Sequence, residues 1–71
     1  MAVEYLLIPS IANDHDVRAI NELLGALPGV LLVTVSLLDR RVRLEHTDNI
    51  SIEELIRALS AAGYSHVALL A

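Results

Sequence analysis

Val30-Leu31-Leu32-Val33-Thr34-Val35-Ser36-Leu37-Leu38-Asp39-Arg40-Arg41-Val42-Arg43-Leu44-Glu45-His46 changes character once, at Asp39-Arg40. Before that point, Val30 to Leu38 reads as a strand. Leu31, Val33, Val35 and Leu37 make one face, and Val30, Leu32, Thr34 and Ser36 make the other. After it, Arg41 to His46 alternates cleanly, with Val42 and Leu44 pointing one way and Arg41, Arg43 and Glu45 the other. Asp39-Arg40 is read as a tight turn without the glycine that hairpin turns favour. Two such runs predict an antiparallel hairpin with one buried face and one wet face.

Working outward toward the N-terminus, Pro28-Gly29 stops a helix predicted over Asn13 to Leu27. Val17, Ile20, Leu24 and Leu27 fall on one face of that helix, with Ala19 and Leu23 widening the stripe. Asn13 is a good N-cap, and Asp14 and Asp16 occupy the first turn, where the helix dipole favours anions. Val3 to Ile8 reads as a further strand, ended by Pro9. Toward the C-terminus, Thr47 to Ile50 is a connection. Ser51 and Glu54 form a capping box, and Ile50 with Leu55 closes a hydrophobic staple. Ile52, Leu55, Ile56 and Leu59 carry the second helix, with Glu53 and Arg57 as an exposed pair one turn apart. Ala61-Ala62-Gly63 ends it, and Ser65 to Leu70 is the last strand.

The order β-α-β-β-α-β predicts an α+β fold, the ferredoxin-like βαββαβ sandwich. Right-handed crossovers place both helices on one face of a four-stranded antiparallel sheet. The other sheet face is left open. It is polar on the hairpin, and Leu6, Ile8, Ala68 or Leu70 adds apolar surface there according to a register that the pattern leaves open.

Seventy-one residues make a single domain over 1–71. The apolar share of 55% exceeds the average of about 45–50%. With no Phe, Trp or Cys, the core is aliphatic, and neither a disulfide nor a thiolate metal site can form. A domain this small cannot hide so much apolar surface internally, which points to a protein interface. The net charge of −4, with five arginines and no lysine, argues against nucleic acid as a partner. Arg40, Arg41 and Arg43 cluster, and they read as a solvated turn and strand face. The longest uncharged run, Leu23 to Leu38, is too short to span a bilayer and is broken by Pro28-Gly29, so no membrane insertion is expected. The N-terminus lacks the basic region of a secretory signal, and a cytoplasmic location follows by default.

The run Leu27 to Leu37, then Val42-Arg43-Leu44, Ile52 to Ile56, and Ala62-Gly63-Tyr64, resembles the heavy-metal-associated domain family of copper chaperones, mercury-binding proteins and modules of metal-pumping ATPases. The resemblance runs over nearly the whole chain and implies metal ion binding or metal transport. The family's Met-x-Cys-x-x-Cys motif falls on Ile11, Ala12 and Asn13-Asp14-His15-Asp16. The resemblance therefore puts Ile11 in place of a buried methionine, and Asn13 and Asp16 in place of the two cysteines. It also brings the Gly63-Tyr64 loop beside the metal loop, where Tyr64 would shield the site and His66 would approach it. Pro9 is a second departure, where the family usually keeps an apolar strand residue.

An amide and a carboxylate cannot replace two thiolates around a soft cuprous ion. Asn13, Asp14, His15 and Asp16 instead suit a divalent ion: zinc, nickel, cobalt or cupric. The same four residues also read as capping alone, with Asn13 as N-cap and Asp16 three positions on. Successive helical residues diverge by about 100°, so Asp14, His15 and Asp16 converge only if the loop stays unwound. His46 and His66 each stand alone in or beside strands. No Cys or Lys nucleophile, Ser-His-Asp arrangement or glycine-rich phosphate loop is present, so no enzyme is expected. Two functions stay open: a metal-handling domain with a non-cysteine site, or a metal-free interaction module that docks or forms a homodimer through its open sheet face or an edge. A regulatory small-ligand domain is a third, since this fold hosts many functions.

Overall fold

A computed structural model describes residues 1–70. The elements run β1 (Ala2–Leu7), α1 (Asp14–Gly25), β2 (Val30–Ser36), β3 (Arg41–His46), α2 (Ile52–Ala61) and β4 (Ala68–Leu69). The sheet order is β2-β3-β1-β4, with every neighbour antiparallel. Leu6, Ile8, Val42 and Leu44 of the sheet side meet Ile20 and Leu24 of α1 and Leu55 and Leu59 of α2 in one buried cluster, which Ile11 and Ile50 complete. This is the βαββαβ sandwich that the strand and helix periods predict, with a wholly aliphatic core.

Several local expectations are corrected. β2 contains a bulge: Val30 and Leu32 oppose the adjacent residues His46 and Glu45, which leaves Leu31 as the extra residue. The predicted face of Leu31, Val33, Val35 and Leu37 therefore breaks up. Val30, Val33 and Val35 pack on the core, while Leu31 is exposed. The hairpin turn is also longer than Asp39-Arg40. Ser36 opposes Arg41, so Leu37 to Arg40 all lie in the turn. Arg40 there adopts φ +57, supplying the left-handed position without a glycine.

In β1 and just past its end, Leu6 and Ile8 are fully buried beneath the helices and contribute nothing to the open face. Val3, Tyr5 and Leu7 point outward instead, and Leu70, bonded through its N–H to the Tyr5 carbonyl, joins them. Ile8 lies just past the strand, its N–H donating to the Arg40 carbonyl at 2.8 Å. The last strand shrinks from Ser65–Leu70 to two residues, because His66 takes φ +60 and bends the chain before Ala68.

The helix ends follow capping chemistry. α1 stops at Gly25, two residues before the expected end, and Leu27 packs on the core from the connection. At α2 the Ser51 hydroxyl accepts from the Glu54 N–H at 3.2 Å, and the Glu54 carboxylate accepts from that same hydroxyl rather than from the Ser51 N–H. The Glu53–Arg57 pair does not form; the ion pairs among the described residues are Arg43–Glu45 and His46–Glu4.

Candidate functional site

Two helix ends build the site. At the start of α1, Asn13 has extended backbone and its Oδ1 accepts from the Asp16 N–H at 3.1 Å. The Asp16 side chain then turns back, and its Oδ2 accepts from the Ala12 N–H at 2.9 Å. A capping box would return this second bond to Asn13. It reaches one residue further, so the loop closes on itself more widely. Ile11, directly before this loop, is fully buried in the core and anchors it.

At the end of α2, Gly63 takes φ +97. Its N–H bonds to the Ser60 carbonyl at 3.0 Å, and the Tyr64 N–H bonds to the Leu59 carbonyl at 2.9 Å. This is the Schellman exit, in which the residue after glycine packs back on the helix. Tyr64 is that residue: half-buried, it packs against the core. From there its hydroxyl donates to Asp16 Oδ1 at 3.0 Å.

Asp16 is thus held from two sides, by the Ala12 N–H and the Tyr64 hydroxyl. Both bonds favour the charged carboxylate and hold its pKa below the ordinary value. Burial, followed by the nearby carboxylate, pushes the Tyr64 phenol up. The loop after β1 and the loop after α2 are therefore joined by a charge-assisted bond.

The sequence-derived ligand candidates divide into two groups. Asn13 and Asp16 meet each other, and Asp16 meets Tyr64. Asp14 and His15 are exposed on the first turn of α1. His66 is exposed, its ring nitrogen 3.1 Å from the Ser65 hydroxyl. Among the described residues no three His, Asp or Glu side chains are grouped to hold a metal ion. An ion at this loop would draw on the exposed Asp14 and His15, and on Asp16 only through the lone pairs that the Ala12 and Tyr64 bonds leave over.

The opposite end of the sheet holds a cluster that the residue pattern did not reveal. His46, only 5% exposed, faces the helix side of β3. Its Nε2 lies 2.9 Å from Glu4 Oε2 on β1, and its Nδ1 lies 2.9 Å from the Thr47 carbonyl. Both partners are acceptors, so the ring is satisfied fully only when both nitrogens carry protons. The Glu4 bond accordingly raises the His46 pKa against the effect of burial. Period-two alternation places His46 on the same face as Val42 and Leu44, which was the available signal. Its partner depends on strand register, and one strand alone does not give that.

The heavy-metal-associated domain model matches residues 12–65 of the chain. Comparison of the sequence with curated proteins gives no match. Among solved structures, oxidized MerP from Ralstonia metallidurans CH34 superposes with a TM-score of 0.91 at 20% identity, covering 99% of this chain and 97% of that one. Apo-CopP from Helicobacter pylori gives 0.83 at 27% identity over 94% and 100%. The yeast Atx1-Cu(I)-Ccc2a complex gives 0.87 at 17% identity over 97% and 94%.

Proposed function

Because the chain belongs to the heavy-metal-associated domain family, we propose that it serves metal handling as a partner-docking domain that does not itself carry cuprous ion. The observation that carries this reading is the double engagement of Asp16. The residue at the second cysteine position is tied to Ala12 and Tyr64, so the loop is closed by protein groups alone. The Atx1-Cu(I)-Ccc2a complex supports a role in protein contact, since a domain of this fold is in complex with a second protein there. The partner of this chain is then a metal-handling protein or a second copy, and its working compartment is the cytoplasm, a placement that cell fractionation tests.

A second reading keeps the metal. Asp14 and His15 are exposed side by side at the start of α1, and with Asn13 and Asp16 they would bind zinc, nickel, cobalt or cupric ion through oxygen and imidazole. One titration separates the two. Amide shifts are followed while cuprous, cupric, zinc, nickel and cobalt ions are added in turn. The docking reading expects no saturable micromolar response. Saturation limited to residues 11–17 and 63–66 overturns it in favour of the second.

A further inference from the structure

His46 sits where several stretches of chain meet. In the sheet it lies opposite Ala2 of β1 and Val30 of β2. It also opens the connection over residues 47–50, which leads to the Ser51 cap of α2. That connection is a turn closed by the Ile50 N–H on the Thr47 carbonyl at 3.4 Å. Thr47 fastens it to the turn before β2, since the Thr47 N–H donates to the Gly29 carbonyl at 2.8 Å. The Thr47 carbonyl has a second neighbour in Nδ1 of His46, 2.9 Å away. The other ring nitrogen, Nε2, faces Glu4 Oε2.

A protonated ring donates to both acceptors. A neutral ring has one N–H and serves only one of them. The bond to the carboxylate is charge-assisted and about twice as strong as a bond to a carbonyl. The neutral ring therefore keeps its proton on Nε2, toward Glu4. Its Nδ1 then presents a lone pair to the Thr47 carbonyl oxygen, and two acceptors at 2.9 Å repel each other.

We propose that His46 is a proton-operated latch: when neutral it keeps Glu4 and releases the Thr47 carbonyl, so that the 47–50 turn works loose from the Gly29 turn. This goes beyond the docking reading and does not rest on it. The release uncovers an apolar residue, because Ile50 is 6% exposed in the closed corner and its Cγ2 packs beside Gly29. Glu4 is the charged group that faces the ring. Val30 and Ile50 beside it are apolar. Asp48 in the turn and the Met1 amino group ahead of Ala2 are exposed, as are Glu22 in the last turn of α1 and Glu53 and Glu54 in the first turn of α2. The Glu4 bond holds the His46 pKa above its ordinary value. The latch is thus closed in acid and opens as pH climbs through that raised value.

The test reads the ring and the turn together, on the whole chain from about pH 5.5 to about pH 9. Ring nitrogen shifts report the tautomer, and amide relaxation reports backbone order. The parent is expected to show a neutral His46 protonated at Nε2. Order parameters over residues 47–50 are expected to fall from about 0.85 to below about 0.7, with the midpoint of the His46 titration, while those of Val42 and Leu44 hold. Glu4→Gln puts an amide in place of the carboxylate. Its NH2 donates to Nε2, which lets a neutral ring carry its proton on Nδ1 and keep Thr47. That variant is expected to hold the turn closed across the whole range. His46→Phe has no bond to Thr47 and is expected to leave the turn loose at every pH. A neutral parent ring protonated at Nδ1, turn order that ignores the His46 titration, or loosening that survives in Glu4→Gln at the same midpoint overturns the inference. The first two outcomes are read on the parent alone, so they decide the matter whatever the substitutions do to folding.

Discussion

Tyr64 and Asp16 are 48 residues apart in the chain, and the Tyr64 hydroxyl lies 3.0 Å from the Asp16 carboxylate. The bond joins the start of one helix to the end of the other. It does so at Asp16, onto which the sequence resemblance puts the second cysteine of the family's motif. A residue type that cannot hold a soft ion thus closes the loop by hydrogen bonding instead.

Tyr64→Phe removes this bond and keeps the ring. A measurable loss of folding stability is expected, and the Asp16 pKa rises toward the ordinary carboxylate value. Carbon-detected titration of the Asp16 carboxyl reads the shift, and urea unfolding reads the loss. Because the folded Asp16 pKa is depressed, its contribution is present above the unfolded value and is lost as pH falls through the folded one. Tyr64→Phe should therefore flatten the acid limb of the stability profile.

The Glu4–His46 pair works in the opposite direction. The folded His46 pKa is raised, so its contribution is complete below the unfolded value of about 6.5. It disappears as pH climbs through the folded value. Urea unfolding from pH 5.5 to 8.5 or so should show stability declining across that interval. Glu4→Ala should cost about 1–3 kcal/mol at the acid end and remove most of the slope. A slope unchanged in Glu4→Ala would locate the titration elsewhere.

Gly29→Ala should destabilise strongly although it adds one methyl group. Gly29 has φ +96, and a Cβ there would meet Thr47 Oγ1 at 3.0 Å and Ile50 Cγ2 at 3.1 Å. Both strain and crowding oppose the change, for a loss of more than about 1 kcal/mol. At Gly63, with φ +97 but open space around it, alanine meets only the strain, so the ratio of the two losses separates the causes.

The double change Asn13→Cys with Asp16→Cys should restore cuprous binding, since it returns thiolates to the two positions on which the family motif falls. Competition against a colorimetric cuprous chelator measures it. No gain over the parent would show that the loop no longer has a shape able to bring two sulfurs together.

The fold was legible because its signals were local. Asn13, Ser51 and Gly63 mark helix ends by their own chemistry, and Val42-Arg43-Leu44-Glu45 shows one wet and one dry face without help from a neighbour. What escaped the pattern depends on two segments at once. The bulge at Leu31 exists only relative to His46 and Glu45 on β3, and an unbroken apolar run carries no mark of an inserted residue. Leu6 and Ile8 have the same alternation as Val3, Tyr5 and Leu7, so only packing beneath the helices decides between them. The Asn13–Asp16 interaction could be read from spacing. The bonds to Ala12 and Tyr64 could not, because they require the loop to widen by one residue and the second helix to end beside it. His46 looked solitary for the same reason: Glu4 is 42 positions away.

The aliphatic core also decides what light can see. With no tryptophan, the near-ultraviolet chromophores are Tyr5 on the open sheet face and Tyr64 at the loop junction. Neither lies in the interior. Tyrosine emission and near-ultraviolet dichroism of this protein therefore report on the open sheet face through Tyr5 and on the loop junction through Tyr64. The melting of the leucine and isoleucine interior must be followed through the backbone amides or the methyl resonances.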